Sequence, residues 1–314
     1  MGDFSKVFVA VSGYAESVNR IFILAHLHDA LREKIPSAQL MLLENGEKWI
    51  DAGRYRWDGV GVSGEDIAGD RILVLGRDGQ IATWENMLTG EINAIDKNII
   101  LGPMKGISKI GNEIFAYGMQ RQLYRKTKNN KWTPWIKGMS KHYTHNEIKD
   151  NIHDIINKVG GITSVAGSDI TKMYAVGING EIWKNNGIKW NRLDSPTNLN
   201  LYGSALTESG KLYICGQGGT LLYGQGDEWK ILEHDEIEGK DLYSIAWFKK
   251  KLYMADGHSL MMLEDGTVSK VDMVSKKSDT IPSHMLFTNG NLLLSVAGKE
   301  IFITEDGENW TSLI

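Results

Sequence analysis

The sequence predicts an all-β fold, a seven-bladed β-propeller of four-stranded antiparallel blades, spanning residues 1–314 as one domain. Three observations carry that prediction. First, one phrase recurs: ILVLGRDGQIATW (72–84), IFAYGMQRQLYRK (114–126), MYAVGINGEIWKN (173–185), LYICGQGGTLLYG (212–224), LYMADGHSLMMLE (252–264) and LLLSVAGKEIFIT (292–304). Its glycines, Gly76, Gly118, Gly177, Gly216, Gly257 and Gly298, fall 42, 59, 39, 41 and 41 residues apart. Second, each copy holds two short apolar strands. A third precedes it, as in YGSALTESG (202–210), and a fourth follows a Gly/Asn/Asp turn, as in GDEWKIL (226–232). Third, a period near 40 residues with four strands suits a radial sheet repeat, whereas solenoid turns are usually shorter.

The element order follows from the repeat. VFVAVSG (7–13), RIFILA (20–25), QLMLLENG (39–46) and KWIDAG (48–53) supply a stretched first unit, and the six phrases supply units two to seven. A four-stranded blade cannot bury both faces alone, and a ring of seven buries each face against a neighbour. Unit one takes all its strands from the amino end and unit seven all of its own from the carboxyl end. The ring is therefore expected to close by packing between first and last blades, without a shared strand. Residues Trp310–Ile314 are expected to form the outer strand of the last blade. Trp49, Trp132, Trp190, Trp229 and Trp310 read as blade packing, and Cys215 as a small core residue.

Composition narrows the function. Of 314 residues, 42% are apolar and 24% charged, with a net charge of −4. This is globular composition, and its mild acidity argues against nucleic acid and anionic membranes as partners. A single cysteine removes intrachain disulfides and CxxC metal sites. The amino-terminal MGDFSKVFVAVSG lacks the layout of a secretion signal, so a cytoplasmic location is expected.

LYICGQGGTLLYGQGDEWKIL and MYAVGINGEIWKNNGIKWNRL resemble BNR/Asp-box-like and photosystem-assembly-factor-like repeats, a broad superfamily that is also similar to WD40 and YVTN repeats. TEDGENW (304–310) and LENGEKW (43–49) resemble shortened Asp-boxes, in which a polar side chain ties off a hairpin over a packed tryptophan. The resemblance covers nearly the whole chain and implies the architecture. It leaves function open among glycosidases, assembly factors, receptors and binding modules.

Strand order sorts the loops. When strands run from axis to rim, the turns between second and third strands share one face with the connections from each fourth strand to the next blade. Two insertions fall on that face, 26–39 and 139–161, and each has a short helical look. All eight histidines lie in or beside segments of the same face. The candidate partner-binding residues are His26, His28, Arg32, Tyr55, Arg56, Trp57, His142, Tyr143, His145, Asp150, His153, His234, Asp235, Glu236, His258 and His284. His142, His145 and His153 have near-helical spacing and would make a metal site only with a further ligand such as Asp150 or Glu147. No cofactor is expected.

No GxSxG elbow and no phosphate loop occurs. A sialidase would need an arginine cluster and a tyrosine–carboxylate pair. Arg20, Arg54, Arg56, Arg71, Arg77 and Arg121 do not recur at one blade position. The expected function is a non-catalytic, monomeric propeller inside the cell, gripping a specific protein partner in an immunity, inhibitor or assembly role. The alternative is a carbohydrate-active or lectin-like propeller stacking sugars on Tyr55, Trp57 and Tyr143, or a metal-dependent lyase using His258 and His284.

Overall fold

The computed structural model describes residues 7–46, 48–65, 71–85, 88–95, 102–139, 160–273 and 282–314. Seven four-stranded antiparallel sheets follow one another in chain order. Blade 1 is β1 (Phe8–Ser17), β2 (Arg20–Leu27), β3 (Ala38–Glu44) and β4 (Lys48–Tyr55). Blade 2 is β5 (Gly59–Gly64), β6 (Arg71–Gly76), β7 (Gln80–Glu85) and β8 (Leu88–Ala94). Blade 3 is β9 (Met104–Ile110), β10 (Glu113–Gly118), β11 (Gln122–Lys126) and β12 (Trp132–Pro134). Blade 4 is β13 (Ile162–Gly167), β14 (Met173–Gly177), β15 (Ile182–Asn185) and β16 (Trp190–Leu193). Blade 5 is β17 (Leu201–Leu206), β18 (Leu212–Gly216), β19 (Leu221–Gln225) and β20 (Glu228–Ile231). Blade 6 is β21 (Ser244–Phe248), β22 (Lys251–Ala255), β23 (Leu260–Glu264) and β24 (Thr267–Lys270). Blade 7 is β25 (Met285–Thr288), β26 (Leu293–Ala297), β27 (Glu300–Thr304) and β28 (Thr311–Ser312).

The first strand of every blade lines a central channel whose cavity is about 420 Å³. The second strands carry the fully buried runs Ile72–Leu75, Phe115–Ala116, Ala175–Val176 and Ile214–Cys215, because both sheet faces are covered by neighbouring blades. The fourth-strand tryptophans are the wedges between blades. Trp190 is fully buried in the cluster between blades 3 and 4, with its Nε1–H donated to the Trp135 carbonyl at 2.7 Å. Trp229 meets Tyr174 of blade 4 edge-on at 6.1 Å, and Trp310 meets Tyr253 of blade 6 at 6.2 Å. Each leans on the preceding blade.

The repeat glycines of blades 2 to 5 answer to close approach, whereas Gly257 and Gly298 have left-handed backbone, with φ of 86° and 60°. At Gly177 and Gly216 the backbone is extended, with φ of −174° and −170°. A Cβ there would sit 1.8 Å from the Gly161 carbonyl oxygen or 2.2 Å from that of Asn200. Strand register places Asp256 and Ala297 at the corresponding positions of blades 6 and 7, so Gly257 and Gly298 lie one residue beyond the sequence alignment.

The ring closes without a shared strand. Ala10, Ile21, Ile23 and Met41 of blade 1 pack in one cluster with Leu292, Leu294, Val296 and Ile301 of blade 7. Hydrogen bonds add to this packing: Ala10 N–H to the Gly298 carbonyl at 2.7 Å, and Trp49 Nε1–H to the Leu313 carbonyl at 3.2 Å. The shortened Asp-box at 304–310 behaves as such. Asp306 Oδ1 accepts the N–H groups of Glu308 and Asn309 at 2.8 and 2.7 Å, and Trp310 packs beneath.

Of the two insertions expected to be helical, the first is. The described residues hold one α-helix, α1 (His28–Glu33), six residues long. It ends at Lys34, whose φ of 57° turns the chain left-handed two residues before Pro36, which cannot continue a helix. Residues 140–159 of the second insertion lie outside the described residues.

Candidate functional site: the insertion-bearing face

The face is set by strand order. α1 and its flanks join β2 to β3, and residues 135–161 join β12 to β13, so both insertions leave the ring on the same face. Across that face each blade is tied to the next. Five junctions use backbone pairs: Met104 N–H to Arg77 O (2.7 Å), Arg121 N–H to Gly160 O (3.0 Å), Leu242 N–H to Gly216 O (3.0 Å), Gly257 N–H to Ser283 O (2.8 Å) and the Ala10–Gly298 pair. Between blades 4 and 5, Asn179 N–H donates to the Asn200 side chain at 3.0 Å. Between blades 1 and 2, His26 Nε2–H donates to the Gly59 carbonyl at 3.1 Å.

One residue per blade rims the channel mouth. The first strand bulges at Val11, Val60, Lys105, Thr163 and Tyr202, each set between two residues paired to the second strand. In blades 6 and 7 the corresponding residues, Tyr243 and His284, sit one position before β21 and β25. Bulges of this kind re-aim a side chain at a rim. Here they bring three rings together. Tyr202 and Tyr243 stack at 5.8 Å between centroids and 19°, and His284 lies 4.7 Å from Tyr243. Partial burial pushes His284 below the ordinary histidine value. Burial, and then the charge of Asp241, pushes Tyr202 above the ordinary tyrosine value.

The described candidates fall into two sectors. In the blade 1–2 sector His26 is buried at the junction, His28 is half-buried, and Arg32 and Arg56 are exposed. Tyr55 is buried and stacked on the half-buried Trp57 at 4.6 Å, and burial together with Asp51 pushes its hydroxyl up to about 12. Trp57 in turn covers Gly76. The Tyr55 ring is therefore committed to packing, and Trp57 stays half-buried above it. In the blade 5–7 sector the connection 232–242 is pinned by buried Ile237 and Leu242, which leaves Glu233, Asp235, Glu236 and Glu238 exposed and His234 half-buried. Exposed His258 shares a shallow cavity of about 680 Å³ with Lys240, Asp241, Tyr243, Asp256 and Lys270. His142, Tyr143, His145, Asp150 and His153 lie outside the described residues. Among the described residues, no group of three or more His, Cys, Asp or Glu side chains is placed to hold a metal ion.

Sequence reasoning missed Tyr202, Tyr243 and a buried ion pair. Arg121, in the turn of blade 3, pairs through its guanidinium with Glu181 of blade 4, with Nε–H donated to Oε2 at 2.8 Å. Trp183 Nε1–H also reaches Oε2, at 3.1 Å, and the guanidinium lies 5.5 Å from the Trp183 ring. Burial pushes the Glu181 carboxyl up. The hydrogen bonds from Arg121 and Trp183, with the nearby guanidinium charges, more than offset it, and the group ends below the ordinary glutamate value. A Cβ on Gly160 would lie 3.0 Å from the Glu181 carboxyl carbon, so this pair sits directly where the second insertion returns to the ring.

No helix among the described residues is long and apolar enough to cross a membrane. No protein-family profile matches the chain. Over 319 residues the chain is 29% identical to the Immune protein Tsi7 of Pseudomonas aeruginosa, covering 98% of each. Among solved structures it is similar to the WD40 β-propeller domain of Doa1, with a TM-score of 0.66, 9% identity, and coverage of 96% of this chain and 90% of that one. It is equally similar to YCF48 bound to D1 peptide, with a TM-score of 0.66, 14% identity, and coverage of 95% and 93%. At these identities the two structures show the fold alone, a β-propeller as the repeats predict.

Proposed function

We propose that this chain is an immunity-type propeller that captures a specific protein partner on its insertion-bearing face. The observation that carries the reading is the end-to-end alignment with an immune protein over 98% of both chains, a span that includes both insertions. The geometry supports it. The face combines exposed tyrosine and histidine rings at the channel mouth with individual loops on otherwise regular blades, and tyrosine and arginine are favoured anchors of protein interfaces. A rigid ring also holds its loops in place before binding, which lowers the ordering cost of association.

The experiment is protection. Proteins encoded beside this chain are expressed one at a time, with and without it. One of them is expected to arrest growth alone, to be neutralised by co-expression, and to purify with this chain in a one-to-one complex. If none is toxic, or a toxic neighbour is neither neutralised nor bound, the immunity reading is rejected.

A further inference from the structure

The opposite face, built from the turns between first and second strands and between third and fourth strands, carries a broad cleft. It lies between blades 4 and 5, has a volume of about 860 Å³, and collects Lys172, Lys184, Lys211 and Lys230. Local structure puts the lysines there. Thr171 N–H donates to Asp169 Oδ1 at 2.8 Å, closing the turn that presents Lys172. Lys211 N–H donates to Thr207 Oγ1 at 3.1 Å, closing the turn that presents Lys211. Two of the amines are held by rings: Lys184 Nζ lies 5.9 Å from the Tyr174 ring centroid and Lys211 Nζ 5.7 Å from that of Tyr223. Tyr174 is fixed in turn by accepting the Gly226 N–H at 3.2 Å.

The charge is not cancelled. None of the four lysines enters an ion pair among the described residues. The lining carboxylates are Glu208 and Glu228, and Glu208 is engaged by Trp247 of blade 6, whose Nε1–H it accepts at 2.6 Å. Counting Asp169, which lies beside Lys172 outside the lining, four ammonium groups meet three carboxylates in a chain whose net charge is −4. A cleft lined by one sign of charge focuses its field on a counter-ion. Its volume falls in the range of about 300–1,000 Å³ typical of small-ligand sites. Lysine ammonium groups bind phosphate as point charges.

The geometry points to a second site, between blades 4 and 5, for a small polyphosphate, either an inorganic chain or the phosphate tail of a nucleotide. Clustered phosphates match several ammonium groups within one compact cleft, which a single carboxylate does not. The site lies on the face away from the insertions, so it stands independently of partner capture.

Calorimetric titration tests it on the full chain, with tripolyphosphate, ATP and citrate as probes at low and physiological salt. One-to-one binding of tripolyphosphate is expected, with affinity falling as salt rises and citrate at least tenfold weaker. The double variant Lys184→Gln/Lys211→Gln is expected to lose at least tenfold in affinity at an unchanged melting temperature. Lys249→Gln/Lys250→Gln, at exposed lysines of blade 6 on the same face, should bind as the parent does. ATP binding equal to tripolyphosphate would assign the site to the phosphates alone, and tighter ATP binding would assign it to nucleotides. No measurable binding of tripolyphosphate, or equal losses in the two double variants, would overturn the site.

Discussion

His26 Nε2 lies 3.1 Å from the Gly59 carbonyl oxygen, and on the insertion-bearing face this side chain ties blade 1 to blade 2. Nearer the channel, Ser12 Oγ accepts the Val62 N–H at 3.2 Å. Elsewhere the turn between second and third strands reaches the next blade with its own backbone, as Arg77 O does to Met104 N–H. In blade 1 that turn is replaced by α1 and its flanks, and an imidazole at the end of β2 supplies the link instead. The histidine is thus a consequence of the insertion and a structural part of its root.

His26→Ala should cost about 1–3 kcal/mol, because the buried Gly59 carbonyl loses its donor. His26→Gln, which can still donate, should recover much of that loss. Asn200→Ala, at the blade 4–5 junction where its side chain accepts the Asn179 N–H, should cost about 1 kcal/mol. The sites are far apart in the ring, so the two losses should add. Urea unfolding of the single and double variants measures all three, and strong non-additivity would contradict independent junctions.

Arg121 and Glu181 give a prediction whose sign can be worked out. The folded-state pKa of Glu181 is depressed, so its contribution is present at neutral pH and is lost as pH falls through the folded value, below the ordinary glutamate range. Arg121→Met leaves a buried carboxylate without its cation and should cost about 3–5 kcal/mol at pH 7. Burial then raises the carboxyl above its unfolded value. The variant should therefore regain stability as pH falls from neutral through that raised value, where the parent does not. Melting temperatures of both proteins between pH 4 and 8 would show the variant gaining on the parent as pH falls, and parallel slopes would refute the assignment.

The seam between blades 7 and 1 should be the weakest part of the ring. It relies on a two-residue outer strand, on Leu313 and Ile314 packed against the joint cluster, and on the Trp49–Leu313 hydrogen bond. Removing Trp310–Ile314 strips Trp310 from Tyr253, uncovers β27 and opens this cluster. Losses of several kcal/mol are expected, since deleting even one large buried side chain costs about 2–5 kcal/mol. Trp49→Phe, which keeps the packing but deletes the donor, should cost about 1 kcal/mol. A truncated chain that melts at the parent temperature would contradict the strand assignment.

Most of the ring was legible because its cause is local. Short apolar strands and Gly/Asn turns repeat at a near-constant period, and the first unit, although stretched, keeps the same order. The mouth was harder to read. Val11-Ser12, Val60-Gly61, Lys105-Gly106, Thr163-Ser164, Tyr202-Gly203 and Tyr243-Ser244 share one pattern, a variable residue before a small one, and His284-Met285 completes it with a larger second residue. The pattern says nothing by residue type and acquires meaning only once the bulge sets these positions at the mouth, where Tyr202, Tyr243 and His284 come together. Tyr55, buried beneath Trp57, was hard to read for the opposite reason. Aromatic residues in a connection look like anchors, but their exposure is decided by packing against Gly76 and by their mutual stacking. The Arg121–Glu181 pair joins residues 60 positions apart in different blades, and no spacing rule connects them.

Partner capture should separate the two sectors of the insertion-bearing face. Tyr243→Ala removes the middle ring of the Tyr202–Tyr243–His284 stack, and a residue at the centre of a protein interface typically costs about 2 kcal/mol or more on truncation. At least a tenfold loss of partner affinity is expected, with a small change in melting temperature because Tyr243 is exposed. Replacing residues 142–158 by a short Gly/Ser linker should abolish capture and leave the melting temperature of the ring close to the parent's. Arg32→Ala, on exposed α1, tests whether the first insertion contributes to the same footprint. If it does, its loss and that of Tyr243→Ala should appear mainly in the dissociation rate. Surface plasmon resonance with the neutralised toxin resolves these cases. Unchanged capture by both the Tyr243 variant and the linker variant would place the partner elsewhere on the ring.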